Sequence, residues 1–438
     1  MAGNPPVAVQ QYGQSIWYDN IRLSMLENGE LQQLIDHSGV LGITSNPTIF
    51  QKAISSADDY DQAIASMLEL DAESIYERLA VDDIQRALDM LRPIYDRTGG
   101  RDGYVSLEVS PLIANDSETT VAEAKRLFAT LNRPNAMIKI PATAAGIPAI
   151  EEAIAAGINV NVTLIFGIEN YVEVAEAYIR GLERRRAAGG DVTGIASVAS
   201  FFLSRIDTLV DKMLDNNIRA AQGRDLARVA SNNKLKGKTA IANAKVAYKH
   251  FKSVFYGERF AALKVEGAMP QQLLWASTGT KNPAYPDTMY VDNLIGRDTV
   301  NTVPPETLAA FKDHGTVAPV LGENVSEAEA MLDMLAEVGI DLAQITARLQ
   351  QDGVEAFVDS FSALIDQIEA RRSVLQTGVI REQESVIGAH SEQVDISIHM
   401  LEAEHTNARL WNRDGTLWRD HPVVSSKIAG ALGWLDPL

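Results

Sequence analysis

Lys139 lies inside an apolar run, Ala136-Met137-Ile138-Lys139-Ile140-Pro141-Ala142-Thr143. Lysine is seldom buried without a partner or a purpose. Desolvation disfavours an ammonium, and a neutral amine attacks carbonyl groups, so one reading is an imine-forming lysine. The other is a strand-end lysine whose head reaches water along its own hydrocarbon stem. An imine mechanism needs an acid and base to dehydrate the carbinolamine and later hydrolyse the imine. Glu108, near the end of Tyr104-Val105-Ser106-Leu107-Glu108-Val109, can supply that through a water held by Thr163. Asp19, closing Ser15-Ile16-Trp17-Tyr18-Asp19, is a second carboxylate, suited to take a hydroxyl proton as a carbon–carbon bond breaks. Asn46 and Asn161 can bond the hydroxyls of a polyol without adding charge, each contact contributing on the order of 1 kcal/mol. Ser200 and Ser277 end two further apolar runs.

These residues need elements that bring their strand ends together. Short β-rich runs alternate with helical spacing along the first 300 residues. Strands are expected at 15–19, 42–46, 104–109, 136–143, 158–165, 195–201, 273–277 and 289–292. Helices are expected over 21–34, from Pro47 to about Arg97, and over 120–131, 147–156, 170–185 and 205–255. Eight such units in about 300 residues match a single (β/α)8 barrel, whose active groups sit at the C-terminal strand ends. A doubly wound open sheet is the alternative, but no glycine-rich turn follows the first strand. From Pro304 the pattern is helical, with Ser326 and Glu329 spaced as a capping box and a helix over 354–375. The organisation expected is a barrel with helical extensions over 1–375 and a mostly helical tail over 376–438. That tail carries Leu410-Trp411, Leu417-Trp418 and Gly433-Trp434-Leu435.

Composition narrows the partners. The 438 residues include no cysteine, and the formal net charge is −19. Thiol chemistry, disulfides and Cys-ligated zinc are thereby excluded, and a cytoplasmic location is favoured. Nucleic acid and anionic membranes would be repelled, so an anionic substrate requires a local basic site. No run of about 18 apolar residues is present. Three lesser signals carry no site. Gly237-Lys238-Thr239 imitates the end of a phosphate-binding loop but has Asn232 where the loop needs glycine. The lysines from Lys234 to Lys252 read as a solvated helix face. So do His399, Glu402 and His405, despite their metal-like spacing.

Taken in order, several runs resemble the transaldolase family. They are Thr44-Ser45-Asn46-Pro47, Ser106-Leu107-Glu108-Val109, Ile138-Lys139-Ile140-Pro141-Ala142-Thr143 and Asn159-Val160-Asn161-Val162-Thr163-Leu164. Ser200-Phe201-Phe202-Leu203-Ser204-Arg205 and Trp275-Ala276-Ser277-Thr278 extend the likeness over residues 10 to 375. The resemblance implies a (β/α)8 barrel with no metal or other cofactor, acting on small sugar phosphates, and it is compatible with a homo-oligomer. It implies transfer of a dihydroxyacetone unit from sedoheptulose 7-phosphate or fructose 6-phosphate to glyceraldehyde 3-phosphate or erythrose 4-phosphate. By position, Lys139 is similar to the Schiff-base lysine, Glu108 with Thr163 to the proton-transfer pair, and Asp19 to the base for the C4 hydroxyl. Asn46, Asn161 and Ser200 would orient the dihydroxyacetone moiety, with Phe202 beside them, and Arg205 would bind phosphate. Better-known members carry a second arginine after the serine of the seventh strand. Here Ser277 is followed by Thr278, Gly279, Thr280 and Lys281, which makes Lys281 the substitute. An aldolase releasing free dihydroxyacetone is the alternative within the family, where relatives tend to carry Gln in place of Glu108. A silent sugar-phosphate-binding barrel is the alternative outside it. Leu410 to Leu435 resembles the segment joining transaldolase to glucose-6-phosphate isomerase in fused proteins, which implies a linker to a further domain.

Overall fold

Eight parallel strands close on themselves in sequence order in a computed structural model that describes residues 4–56, 58–377 and 391–431. They are β1 (Gln14–Tyr18), β2 (Val40–Ile43), β3 (Val105–Glu108), β4 (Ala136–Pro141), β5 (Val160–Ile165), β6 (Ser197–Phe202), β7 (Gln272–Ala276) and β8 (Thr299–Val303). Closure is made by β1 against β8, in register from Gln14 opposite Thr299 to Tyr18 opposite Val303. Every strand therefore has two neighbours, and no edge is left to pair elsewhere.

Register decides which side chains share a layer. Glu108 lies opposite Lys139, and Lys139 opposite Asn161, so all three point to the same side of the sheet. Between β5 and β6 the register slips: Val162 faces Ala199, but Ile165 faces Phe201. One extra residue is thus accommodated in β5, a bulge at Thr163–Leu164, and Leu164 takes a left-handed φ of 60°. Around the staves, apolar side chains from strands and helices form one continuous core, in which Trp17, Trp275, Tyr171 and Phe251 are fully enclosed. Gly42 is needed in β2 because a Cβ there would meet the Trp17 ring at 2.6 Å.

Seven strands fall where the sequence places them, within a few residues. The eighth does not. Met289–Asp292 is a short helical turn, closed by the Thr288 hydroxyl donating to Asp292 at 2.7 Å. The strand is Thr299-Val300-Asn301-Thr302-Val303, whose polar residues disguise a run rich in β-branched side chains. The helix expected over 21–34 is two, Leu23–Glu27 and Glu30–Ser38, broken at Gly29 with φ 83°. The region 205–255 is three helices, Ser204–Ala221, Leu226–Leu235 and Thr239–Phe255, with Gly223 and Gly237 at positive φ between them. Ser326 does not cap: the helix Val325–Glu337 starts after Asn324, which is left-handed and makes no side-chain cap.

The helix expected over 354–375 begins earlier and runs from Leu342 to Thr377. It lies against the C-terminal ends of the strands. Gln350 donates to Ala142 O at 2.8 Å, Thr48 and Ser360 share a 2.9 Å hydroxyl pair, and Arg372 donates to Leu68 O at 3.1 Å. Contacts divide the chain into residues 1–378 and 379–438. In the second unit the described helices are Ser391–Ala403, Thr406–Trp411 and Pro422–Ala431. Trp411 and Trp418 are exposed, and Gly433-Trp434-Leu435 lies outside the described residues.

Candidate active site

A cavity of about 680 Å³ opens at the C-terminal end of the barrel. Nine of the residues singled out above line it: Asp19, Asn46, Lys139, Thr163, Ser200, Phe202, Arg205, Ser277 and Lys281. Two do not. Glu108 stands behind Lys139, its side chain 5% exposed, and borders a second cavity of about 150 Å³ with Tyr76 and Glu123. Asn161 is wholly buried, donating to the Ser106 hydroxyl at 2.9 Å and accepting from the Ser200 hydroxyl at 2.7 Å. The structure uses Asn161 to hold Ser200 at the wall.

Lys139 is 4% exposed. Its Nζ donates to the Ser45 carbonyl at 3.1 Å, lies 3.2 Å from Glu108 Oε2, and sits 5.6 Å from the centre of the Phe357 ring. The snorkelling alternative therefore does not describe it: the head is enclosed by a carbonyl, a carboxylate and a ring. Burial pushes the Glu108 carboxyl above its ordinary range, and the Lys139 charge only partly opposes that. Glu108 Oε2 is buried with Lys139 Nζ as its contact at 3.2 Å, and the Thr163 hydroxyl is buried with no hydrogen-bond partner among the described residues. An unpaired hydroxyl in a polar site calls for a bridging water or a substrate atom.

Asp19 follows β1 directly, and its Oδ1 accepts from the Thr44 hydroxyl at 2.6 Å. Thr44 in turn shares a 2.6 Å contact with the Thr302 hydroxyl of β8. Burial raises the Asp19 carboxyl, with Thr44 and then Lys139 pulling the other way. Asn46 precedes the helix Pro47–Ser56, and its Oδ1 accepts the Ile49 N–H at 3.0 Å. This is an N-cap followed by proline at the first helical position, and it leaves the Asn46 amide N–H groups to the cavity.

Arg205 lies in the first turn of the helix Ser204–Ala221, with its guanidinium 5.9 Å from the Phe202 ring centre. It forms no ion pair among the described residues, and burial lowers its pKa. A half-buried cation at the positive end of a helix is an arrangement able to hold an anion. Lys281 is exposed at the same rim, and Ser277 is held by the Ser204 hydroxyl at 2.8 Å.

Sequence reasoning gave no role to Thr44, Ser45 or Phe357. Thr44 and Ser45 stand in the Thr-Ser-Asn-Pro run from which Asn46 alone drew attention. Phe357 carries no local signal, since it meets Lys139 only through the fold. Among the described residues no group of three or more His, Asp or Glu side chains is placed to hold a metal.

Comparison with known proteins follows the same lines. The family model described as Transaldolase/Fructose-6-phosphate aldolase matches residues 16–368. The chain is 46% identical over 380 residues to Transaldolase 2 of Nostoc sp., covering 86% of this chain and 99% of that protein. It is 46% identical over 364 residues to the transaldolase of Thiobacillus denitrificans, covering 82% and 98%. With the transaldolase of Neisseria gonorrhoeae it shares 47% over 359 residues, covering 82% and 97%.

Proposed function

The chain belongs to the transaldolase/fructose-6-phosphate aldolase family, and from that premise we propose how its residues carry out transaldolase chemistry. Lys139 attacks the C2 carbonyl of a ketose phosphate. Its contact with Glu108 at 3.2 Å is the single observation that carries the reading, because the amine can hand its proton to that carboxylate as it adds. The carbinolamine then loses water, with the proton supplied by Glu108 through a water bridging it to the Thr163 hydroxyl. The unpaired Thr163 hydroxyl supports that bridge. Asp19 takes the C4 hydroxyl proton as the C3–C4 bond breaks, and the aldose phosphate leaves. The dihydroxyacetone unit stays on Lys139 as an enamine, whose carbon adds to the aldehyde of the acceptor. Asp19 returns its proton to the new alkoxide, and water hydrolyses the imine with Glu108 and Thr163 in the reverse roles.

Asn46 and Ser200 hold the hydroxyls of the three-carbon unit, and Asn161 holds Ser200. Phe202 backs the Arg205 guanidinium, and Arg205 with Lys281 binds the phosphate. Sedoheptulose 7-phosphate and fructose 6-phosphate are the donors, with glyceraldehyde 3-phosphate and erythrose 4-phosphate as acceptors. A cytoplasmic enzyme of the pentose phosphate pathway fits this chemistry. The formal charge of −19 sets nucleic acid and anionic membranes aside as partners. The second unit we assign as a linker to a further domain. Release of free dihydroxyacetone has no observation in its favour, since a carboxylate stands at Glu108.

Borohydride reduction in the presence of fructose 6-phosphate, followed by peptide mapping, is the test. A three-carbon adduct on Lys139 is expected; an adduct elsewhere, or none, would overturn the mechanism. The phosphate end is checked separately. Arg205→Gln is expected to raise KM for fructose 6-phosphate by on the order of 10- to 100-fold, the worth of a charge-assisted contact. Trapping of unphosphorylated dihydroxyacetone on Lys139 should be unchanged in that variant.

A further inference from the structure

The bulge in β5 is held from outside the barrel. Leu164, the residue after Thr163, has φ 60°, a backbone conformation unusual for a branched side chain. Its carbonyl is 3.1 Å from Gln350 Nε2, which also lies 2.8 Å from Ala142 O and 3.0 Å from Asn170 Oδ1. Asn170 Nδ2 donates to the same Ala142 carbonyl at 3.0 Å. Backbone carbonyls only accept, so the donor end of each amide must face them, and the orientation of both groups is fixed. Ala142 N–H in turn donates to Thr163 O at 2.8 Å. One side chain therefore ties the end of β4, three residues past Lys139, to the bulge that aims Thr163 into the cavity.

The same helix makes room for this arrangement. One turn beyond Gln350 stands Gly353, where a Cβ would meet Leu164 Cδ2 at 2.9 Å. A further turn brings Phe357 to Lys139. A glycine inside a helix lowers helix propensity, so its place here is explained by what it clears.

We infer that Gln350 is a positioning residue for catalysis, holding the β5 bulge so that the Thr163 hydroxyl stands where the water of the imine steps is bound. The inference rests on the imine mechanism given above. Gln350 touches no substrate; it acts through the Leu164 and Ala142 carbonyls. Removing its donors lets the bulge relax, and Thr163 moves while the sugar-binding groups stay.

The experiment uses the full chain. Gln350→Met keeps the shape and removes the donors. Its kcat with fructose 6-phosphate and erythrose 4-phosphate should fall about 10- to 100-fold, the cost of a displacement near 1 Å. KM should stay within about twofold, because the lost interaction serves the transition state alone. Combined with Thr163→Val it should cost no more than Thr163→Val by itself. Gln350→Glu supplies a readout that a merely structural role would not move, and it decides the question should Gln350→Met not fold. Its carboxyl can donate only when protonated, so its kcat relative to the unaltered chain should recover as pH falls toward the ordinary carboxyl range. An unchanged kcat would overturn the inference. So would a loss additive with Thr163→Val, or a Gln350→Glu deficit indifferent to pH. Absence of a Lys139 adduct in the unaltered chain is a separate outcome, and it would count against the imine mechanism instead.

Discussion

Lys139→Arg is expected to remove turnover by at least about 10⁴-fold, the scale on which loss of a covalent nucleophile is felt. No borohydride adduct should form at residue 139. Arginine is the informative replacement because it keeps the positive charge beside Glu108. A neutral residue would leave a buried carboxylate without its counter-charge, a defect worth about 3–5 kcal/mol that would confuse loss of chemistry with loss of fold. The larger guanidinium must enter a slot in which lysine is 4% exposed, so overpacking of about 1–3 kcal/mol should appear in chemical denaturation. A folded, charged and inactive protein is the expected result. Retained turnover would assign the nucleophile to another group.

Glu108→Gln should lower kcat by about 10²–10⁴-fold, the span of general acid–base catalysis. The loss should fall on imine formation and hydrolysis. Exchange of the ketose carbonyl oxygen with ¹⁸O-labelled water isolates those steps, and an undiminished exchange rate would remove Glu108 from the role. Its pH dependence has a definite sign. Burial raises both the Glu108 and Asp19 carboxyls, so the acid limb of kcat/KM lies above the ordinary carboxylate range. In Glu108→Gln the limb that remains belongs to Asp19. Stability follows from the same shift. A carboxyl whose pKa is raised in the folded state contributes fully below its unfolded value, near 4.3 for glutamate. That contribution is lost as pH rises through the folded value. Glu108→Gln should therefore flatten the decline of stability with rising pH over that window.

The strand pattern and its polar endings were legible because each lies in a short contiguous run. Lys139, Glu108 and Asp19 each mark an apolar run with a residue that such runs do not tolerate idly. The eighth strand was not, because Thr299, Asn301 and Thr302 look like loop residues until β1 and β7 flank them. Register escaped for a related reason. That Glu108 stands against Lys139 follows from strand pairing, which a sequence does not display. Asn161 was identified as a polar residue at the mouth, but its depth, one layer below Ser200, depends on the alternation within a closed barrel. Gln350 and Phe357 carry no local mark at all. Gln350 meets Ala142 across 208 residues of sequence; it falls before the helix expected over 354–375, and Phe357 reads as an ordinary position within it.

The closure of β1 on β8 also orders events during synthesis. Gln14 and Thr299 bond across a separation of 285 residues, so the first stave has an unsatisfied edge until about two thirds of the chain has left the ribosome. Such long-range pairing folds slowly, and the waiting strands are the segments most exposed to misassociation. Lys139 emerges early, whereas the ring that helps enclose its amine arrives only with Phe357. On a nascent chain Lys139 is therefore solvated, and the enclosure in which the folded protein holds it is assembled last.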